Sequence, residues 1–321
     1  VNGGKMMKKY SVLLTVLIAL GLLVTGCGSK PAPVETPPEE AAAPIKFATL
    51  PAESAIPLII AKEKGFFEEE GVNIELVPFN SPNDRNVAVQ AGQIDGMIAD
   101  VMTSLTFHEA GFGMKITSDI NEDFKLLTSP NSGIDTFDKL NNKDVSIIPN
   151  LILEYIMDEM AEKNGISYEI VAIPSIPARF EALMADQVSA VVFTEPQATL
   201  LASRGAKVLA GSKEYGLKAG TLLFSEKIIA AQPKGLKGFY NAYNKAVDYI
   251  NETDASEYGQ ILTSYGFPDA VVSYLNSDVT YEKARKITDE SFADVLEWAK
   301  AKEMIKETYE LKDVSDFSFI E

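Results

Sequence analysis

The sequence predicts an α/β protein of two Rossmann-like lobes joined by two crossover strands, with extra helices towards the C-terminus. Three observations predict it. A stretch of about thirty residues recurs at a fixed offset of 94 positions. In each copy strands alternate with helices, the pattern of a parallel sheet covered on its faces. The roughly 275 residues that follow position 44 exceed one ordinary hydrophobic core and ask for two.

The N-terminus comes first and reads as an address. Lys8 and Lys9 precede an uncharged apolar run over residues 11–23. A spanning helix needs about 20 apolar residues, so this run fits the core of a secretory signal over residues 1–26. It closes on Leu23-Val24-Thr25-Gly26-Cys27, which resembles the lipobox of bacterial lipoproteins, and Cys27 is the only cysteine in the chain. The resemblance implies a lipidated Cys27 and a mature chain anchored on the extracytoplasmic face of a bacterial membrane. Residues 28–44 read GSKPAPVETPPEEAAAP, a proline-rich stretch without aromatics, expected to be a semi-extended tether over 27–44. The formal charge of −17 becomes three units more negative once Lys5, Lys8 and Lys9 leave with the signal. Such a surface repels nucleic acid and anionic headgroups and keeps a tethered monomer soluble.

The internal echo supplies the lobes. Gly71-Val72 corresponds to Gly165-Ile166, Ser81 to Ser175, Arg85 to Arg179, and 91–94 to 185–188; Gly96-Met97-Ile98 then falls on Ala190-Val191-Val192. Each copy has a helical stretch (58–69 and 152–164) ending at a glycine suited to a left-handed cap. A strand follows (73–79, 169–173), then a Ser- and Pro-marked turn. A second helix (84–91, 178–184) leads into an apolar strand (96–99, 190–193). With a gap of four residues, 47–51 also matches 145–149, the opening strand of each copy.

Between the copies lies Thr128-Ser129-Pro130-Asn131-Ser132-Gly133, and after the second lies the glycine-bounded segment 211–220. Taken as the crossovers, these divide the chain into a first lobe of 45–130 plus 221–321 and a second lobe of 131–220. Phe239, Ala242, Tyr243, Ala246, Val247 and Ile250 repeat at three and four, as do Phe292, Val295, Leu296 and Ala299. They mark amphipathic helices expected to pack around the first lobe and the hinge, with Trp298 a packing residue.

The run from Ala61 to Val72 (AKEKGFFEEEGV), followed by a strand and then by Gln90-Ala91-Gly92-Gln93-Ile94-Asp95-Gly96, resembles the substrate-binding proteins of the nitrate, sulfonate, taurine and thiamine-pyrimidine importers, the SsuA/THI5-like family. The second half follows the same family order through Asp138-Lys139-Leu140, Asp144-Val145, Asp186-Gln187-Val188-Ser189-Ala190-Val191 and Thr194-Glu195-Pro196. The chain departs from the family pattern at Asn141-Asn142-Lys143 and at Gln197. The resemblance implies a type II periplasmic-binding-protein fold, no enzymatic activity, no cofactor, and delivery of a solute to the permease subunits of an ABC importer with a cytoplasmic ATPase.

Ligands of open α/β sheets bind beyond the carboxyl ends of the strands. That rule selects residues 50–55, 80–84, 100–103, 149–151, 174–176 and 193–197. The candidate ligand-binding residues in these segments are Glu53, Ser54, Asn80, Ser81, Asp100, Met102, Asn150, Ser175, Thr194 and Glu195. Ser81 before Pro82 is a helix cap whose free amides can take an anion. Glu53, Asp100 and Glu195, converging on one cleft, favour an amine or aminopyrimidine over nitrate or a simple sulfonate. The alternatives are a small-anion ligand for the same fold, or a sensor subunit for a receptor. Arg85 and Arg179 are expected to tie their helices to their sheets, and Asp100 has the alternative role of a helix cap. His108 is the only histidine in the chain, so the two-histidine metalloprotease motif is absent, and neither a phosphate loop nor a Gly-x-Ser-x-Gly elbow occurs.

Overall fold

The computed structural model describes residues 43–277 and 279–320. The signal, Cys27 and almost all of the 27–44 tether lie outside the described residues.

The chain opens with β1 (Ile45–Thr49), α1 (Ile56–Glu63), α2 (Phe66–Glu69), β2 (Ile74–Pro78), α3 (Pro82–Gln90), β3 (Gly96–Asp100), α4 (Val101–Glu109) and β4 (Met114–Asp119). It continues with β5 (Lys125–Thr128), α5 (Phe137–Leu140), β6 (Lys143–Ile147), α6 (Ile152–Asn164), β7 (Tyr168–Ala172), α7 (Ile176–Met184), β8 (Ala190–Phe193), α8 (Gln197–Ser203) and β9 (Lys207–Gly211). Then come β10 (Gly220–Ser225), α9 (Glu226–Ala231), α10 (Pro233–Glu252), α11 (Gly259–Ser264), α12 (Ala270–Leu275), α13 (Asp289–Ala301) and α14 (Leu311–Val314).

Two five-stranded mixed sheets result, ordered β2-β1-β3-β10-β4 and β7-β6-β8-β5-β9. The sequence echo is an echo of topology. β1 runs parallel to β2 and β3, as β6 does to β7 and β8. The fourth strand of each sheet, β10 or β5, is antiparallel to both its neighbours and arrives from the other lobe. The capping glycines behave alike, with φ of 69° at Gly71 and 64° at Gly165. One difference is local: the expected helix over 58–69 is two, because Gly65 takes φ 76° and breaks it.

The first crossover runs between Asp119 and Lys125, and the second between Gly211 and Gly220. The boundary at 130 is therefore corrected: β5, with Leu126 and Leu127 fully buried, belongs to the second sheet. The turn at 129–133 lies inside that lobe. A short buried strand with one apolar pair offers no period to betray it, whereas Ser-Pro-Asn-Ser-Gly is a conspicuous turn.

The first lobe is centred on aromatic packing in which Phe239 of α10 lies 5.3 Å from Phe47, 5.0 Å from Phe224 and 5.5 Å from Phe67, centroid to centroid. Each such ring fully removed from water contributes about 1.5–3 kcal/mol. Helix α13 reaches beyond the first lobe. α13 packs on α4 of the first lobe while Trp298 donates Nε1–H to Asp158 of α6 in the second at 2.9 Å and meets the Tyr155 ring edge-on at 5.7 Å.

Candidate functional site

Between the two sheets lies a cavity of about 80 Å3, enough for several waters or a small solute. Its lining comes from both lobes and from the first crossover. The wall is mainly apolar, and the polar side chains on it are Ser54, Arg85, Asp100, Glu122, Arg179 and Thr194.

The lobes meet around it in a closed arrangement. Glu53 donates its backbone N–H to the carbonyl of Glu195 at 2.8 Å, and Ile176 donates its own to the carbonyl of Asn80 at 3.0 Å. Gln197 Nε2 reaches the carbonyl of Pro51 at 2.5 Å. Deeper in, Asp100 accepts Thr103 N–H at 2.8 Å through Oδ1, capping α4, and Ile152 N–H of the opposite lobe at 3.4 Å through Oδ2. Burial raises the Asp100 carboxyl above its ordinary pKa, opposed by the Arg85 charge.

Of the ten candidate residues, Ser54, Asp100 and Thr194 line this cavity. Glu53 does not: its carboxylate accepts the backbone N–H of Asp123 and the hydroxyl of Tyr274, and burial pushes its pKa to about 8. Glu195 accepts Thr199 N–H at 2.9 Å, at the start of α8. The three carboxylates thus do not converge on the cavity; only Asp100 faces it. Ser81 and Ser175 cap α3 and α7 by accepting from Asn83 N–H at 3.2 Å and Ala178 N–H at 3.4 Å. Met102 is buried in the core. Asn80 and Asn150 are exposed, Asn150 donating its backbone N–H to Glu154 at 2.5 Å.

Three charged residues on the lining were not among the candidates. Glu122, in the first crossover, accepts Ala219 N–H at 2.9 Å and Gly220 N–H at 3.0 Å from the second, so one carboxylate clasps both hinge segments. Burial raises its pKa to about 7. No sequence signal marks it. Arg85 and Arg179 were visible as equivalents in the echo, and the structure makes them wall residues of the same cavity, one from each lobe. They also fasten backbone as expected, Arg85 Nη1 to the carbonyl of Ile98 at 2.6 Å and Arg179 Nη1 to that of Ile173 at 2.8 Å.

A family model described as "NMT1/THI5 like" matches residues 53–255. The 4-amino-5-hydroxymethyl-2-methylpyrimidine phosphate synthase of Schizosaccharomyces pombe is 23% identical over 114 residues, covering 35% of this chain and 33% of that enzyme. The match therefore spans about a third of that relative's length. Among solved structures, the alkanesulfonate-binding protein SsuA of Xanthomonas axonopodis pv. citri, bound to MOPS, superposes with a TM-score of 0.75 at 18% identity, covering 86% of this chain and 99% of the other. The ligand-binding component of an ABC-type import system from Staphylococcus aureus, with zinc bound, gives 0.74 at 16% identity, covering 86% and 97%. At these identities the likeness is one of fold, and the fold is that of the periplasmic binding proteins.

Proposed function

The chain belongs to the NMT1/THI5-like family, and from that premise we propose that it is the extracytoplasmic solute-binding subunit of an ABC importer. The observation that carries this reading is the cavity between the two lobes, with hydrogen bonds joining one lobe to the other around it. In this reading the two crossovers, clasped by Glu122, are the hinge about which the lobes close to trap a ligand. The wall offers charge and hydrogen bonds to a guest rather than a nucleophile with its base. In this reading Cys27 carries the lipid anchor, and the closed form is what the permease subunits recognise.

An amine-bearing ligand loses support from the geometry. That expectation rested on three carboxylates, and Glu53 and Glu195 are turned to donors of the chain itself. Asp100 and Glu122 remain on the wall, each already accepting backbone N–H groups.

The test is a thermal-shift screen of a small-metabolite library on protein beginning near Ile45, with each hit recovered after incubation. A ligand at a hundredfold excess over its Kd stabilises by about 2.7 kcal/mol. The reading expects a hit recovered unchanged; a hit converted to product contradicts it and favours an enzyme.

A further inference from the structure

Arg85 and Arg179 occupy equivalent places in the two lobes, yet their surroundings differ in the one respect that matters for a buried cation. Arg85 is 2% exposed. Its Nε and Nη2 grip Asn86 Oδ1 at 3.0 and 2.8 Å, its Nη1 holds Ile98, and the Asp100 carboxyl lies close enough to compensate its charge. Arg179 is 3% exposed and has the single hydrogen bond to Ile173. Its Nε–H, buried, finds no acceptor, and its guanidinium carbon lies 4.8 Å from the Phe193 ring centroid. Among the described residues no carboxylate pairs with it. Burial lowers its pKa to about 10, with no acidic neighbour acting against that shift. A charge withdrawn from water without a counter-ion is unfavourable enough that proteins pair it or reserve it for a ligand.

We propose that Arg179 is the anion-binding residue of the cavity, and that the solute is a small apolar monoanion whose carboxylate or sulfonate takes the place of the missing counter-ion. The rest of the wall specifies the rest of the molecule. Ile98, Ile120, Phe124, Ile148 and Val192 suit a hydrocarbon or aromatic body. The inference rests on the solute-capture reading and narrows its substrate class.

The test uses matched probes on protein beginning near Ile45: benzoate and benzenesulfonate, with benzamide and benzylamine as the neutral and cationic counterparts, and hexanoate against hexylamine. The acids raise the melting temperature and bind at least about tenfold more tightly than their amide and amine counterparts, because only they satisfy the guanidinium. Arg179→Met removes the response to acids, with an affinity loss of about a hundredfold or more, as for one partner of a buried charge pair. Arg179→Lys, which keeps the charge without the fork, retains part of it. The melting temperature of each variant without probe confirms that it folds. Amides or amines stabilising as well as acids, or an undiminished acid response in Arg179→Met, overturns the assignment while leaving solute capture standing. No response to any probe at millimolar concentration also overturns it, and solute capture is then judged by the metabolite screen.

Discussion

The backbone N–H of Glu53 bonds to the backbone carbonyl of Glu195 at 2.8 Å, joining two residues from opposite lobes through their main chains while both side chains turn elsewhere. This bond joins the lobes through main-chain groups that no side-chain replacement short of proline removes, and it separates the role of each loop from the role of its carboxylate. Glu195→Ala keeps the bond and loses only the acceptor for Thr199 N–H at the start of α8. Denaturant titration is expected to show a loss of about 1 kcal/mol. Calorimetry with any solute found by screening shows affinity changed by less than about threefold; a much larger loss would return Glu195 to the binding wall.

The hinge carboxylates set a pH dependence. Burial raises Glu53 to about 8, Glu122 to about 7 and Asp119 to about 6, the last two against the opposing charge of Lys218 and, for Asp119, of Arg285. Between the unfolded and the raised folded values the folded state binds more protons, so these groups make stability fall as pH rises from about 5 to 8. Glu122 alone accounts for up to about 3 kcal/mol of that fall. Thermal melts across this range are expected to slope downward, and Glu122→Gln to flatten the slope. A slope unchanged in that variant means the hinge carboxylate is charged throughout.

Trp298, the only tryptophan in the chain, sits where the C-terminal helix α13 touches the second lobe. Beside it Lys302 reaches Glu154 at 2.7 Å and Asp158 at 2.8 Å. Glu154 is buried, so Lys302→Met leaves a carboxylate without its cation. A stability loss of about 1–2 kcal/mol is expected, less than for a fully buried pair because Lys302 is partly exposed. Trp298 emission shifts to the red as the contact loosens; an unshifted spectrum shows that α13 holds by packing alone.

Gly96 and Ala190 are equivalents in the echo, yet only the first admits no side chain. A Cβ at Gly96 meets Phe224 at 2.6 Å and Phe47 at 2.7 Å, both buried rings. Gly96→Ala is expected to cost about 1–3 kcal/mol by overpacking, read from denaturant midpoints, whereas Ala190→Gly is a loss of propensity and a methyl.

How far the sequence reaches is clear from particular residues. The offset of 94 held in three dimensions because both lobes solve the same packing problem, so strand order and left-handed caps repeat with it. The strand-end rule chose loops that hold Ser54, Asp100 and Thr194, all on the cavity wall. It did not foresee which way a side chain turns: Glu53 and Glu195 lie on the chosen loops and bond elsewhere. Glu122 was illegible because its crossover has no periodic pattern, and its partners Ala219 and Gly220 lie almost a hundred positions away. Arg179 could be seen as the double of Arg85, but a missing counter-ion is a fact of space and leaves no mark on a linear chain.

Closure of the lobes on a solute held between them is tested most directly by small-angle X-ray scattering. The radius of gyration of protein beginning near Ile45 is measured alone and with a solute that raises its melting temperature. A smaller radius with the solute, lost again when the solute is dialysed away, is the predicted result. An identical radius in both states, with binding confirmed by calorimetry, contradicts closure as the mechanism.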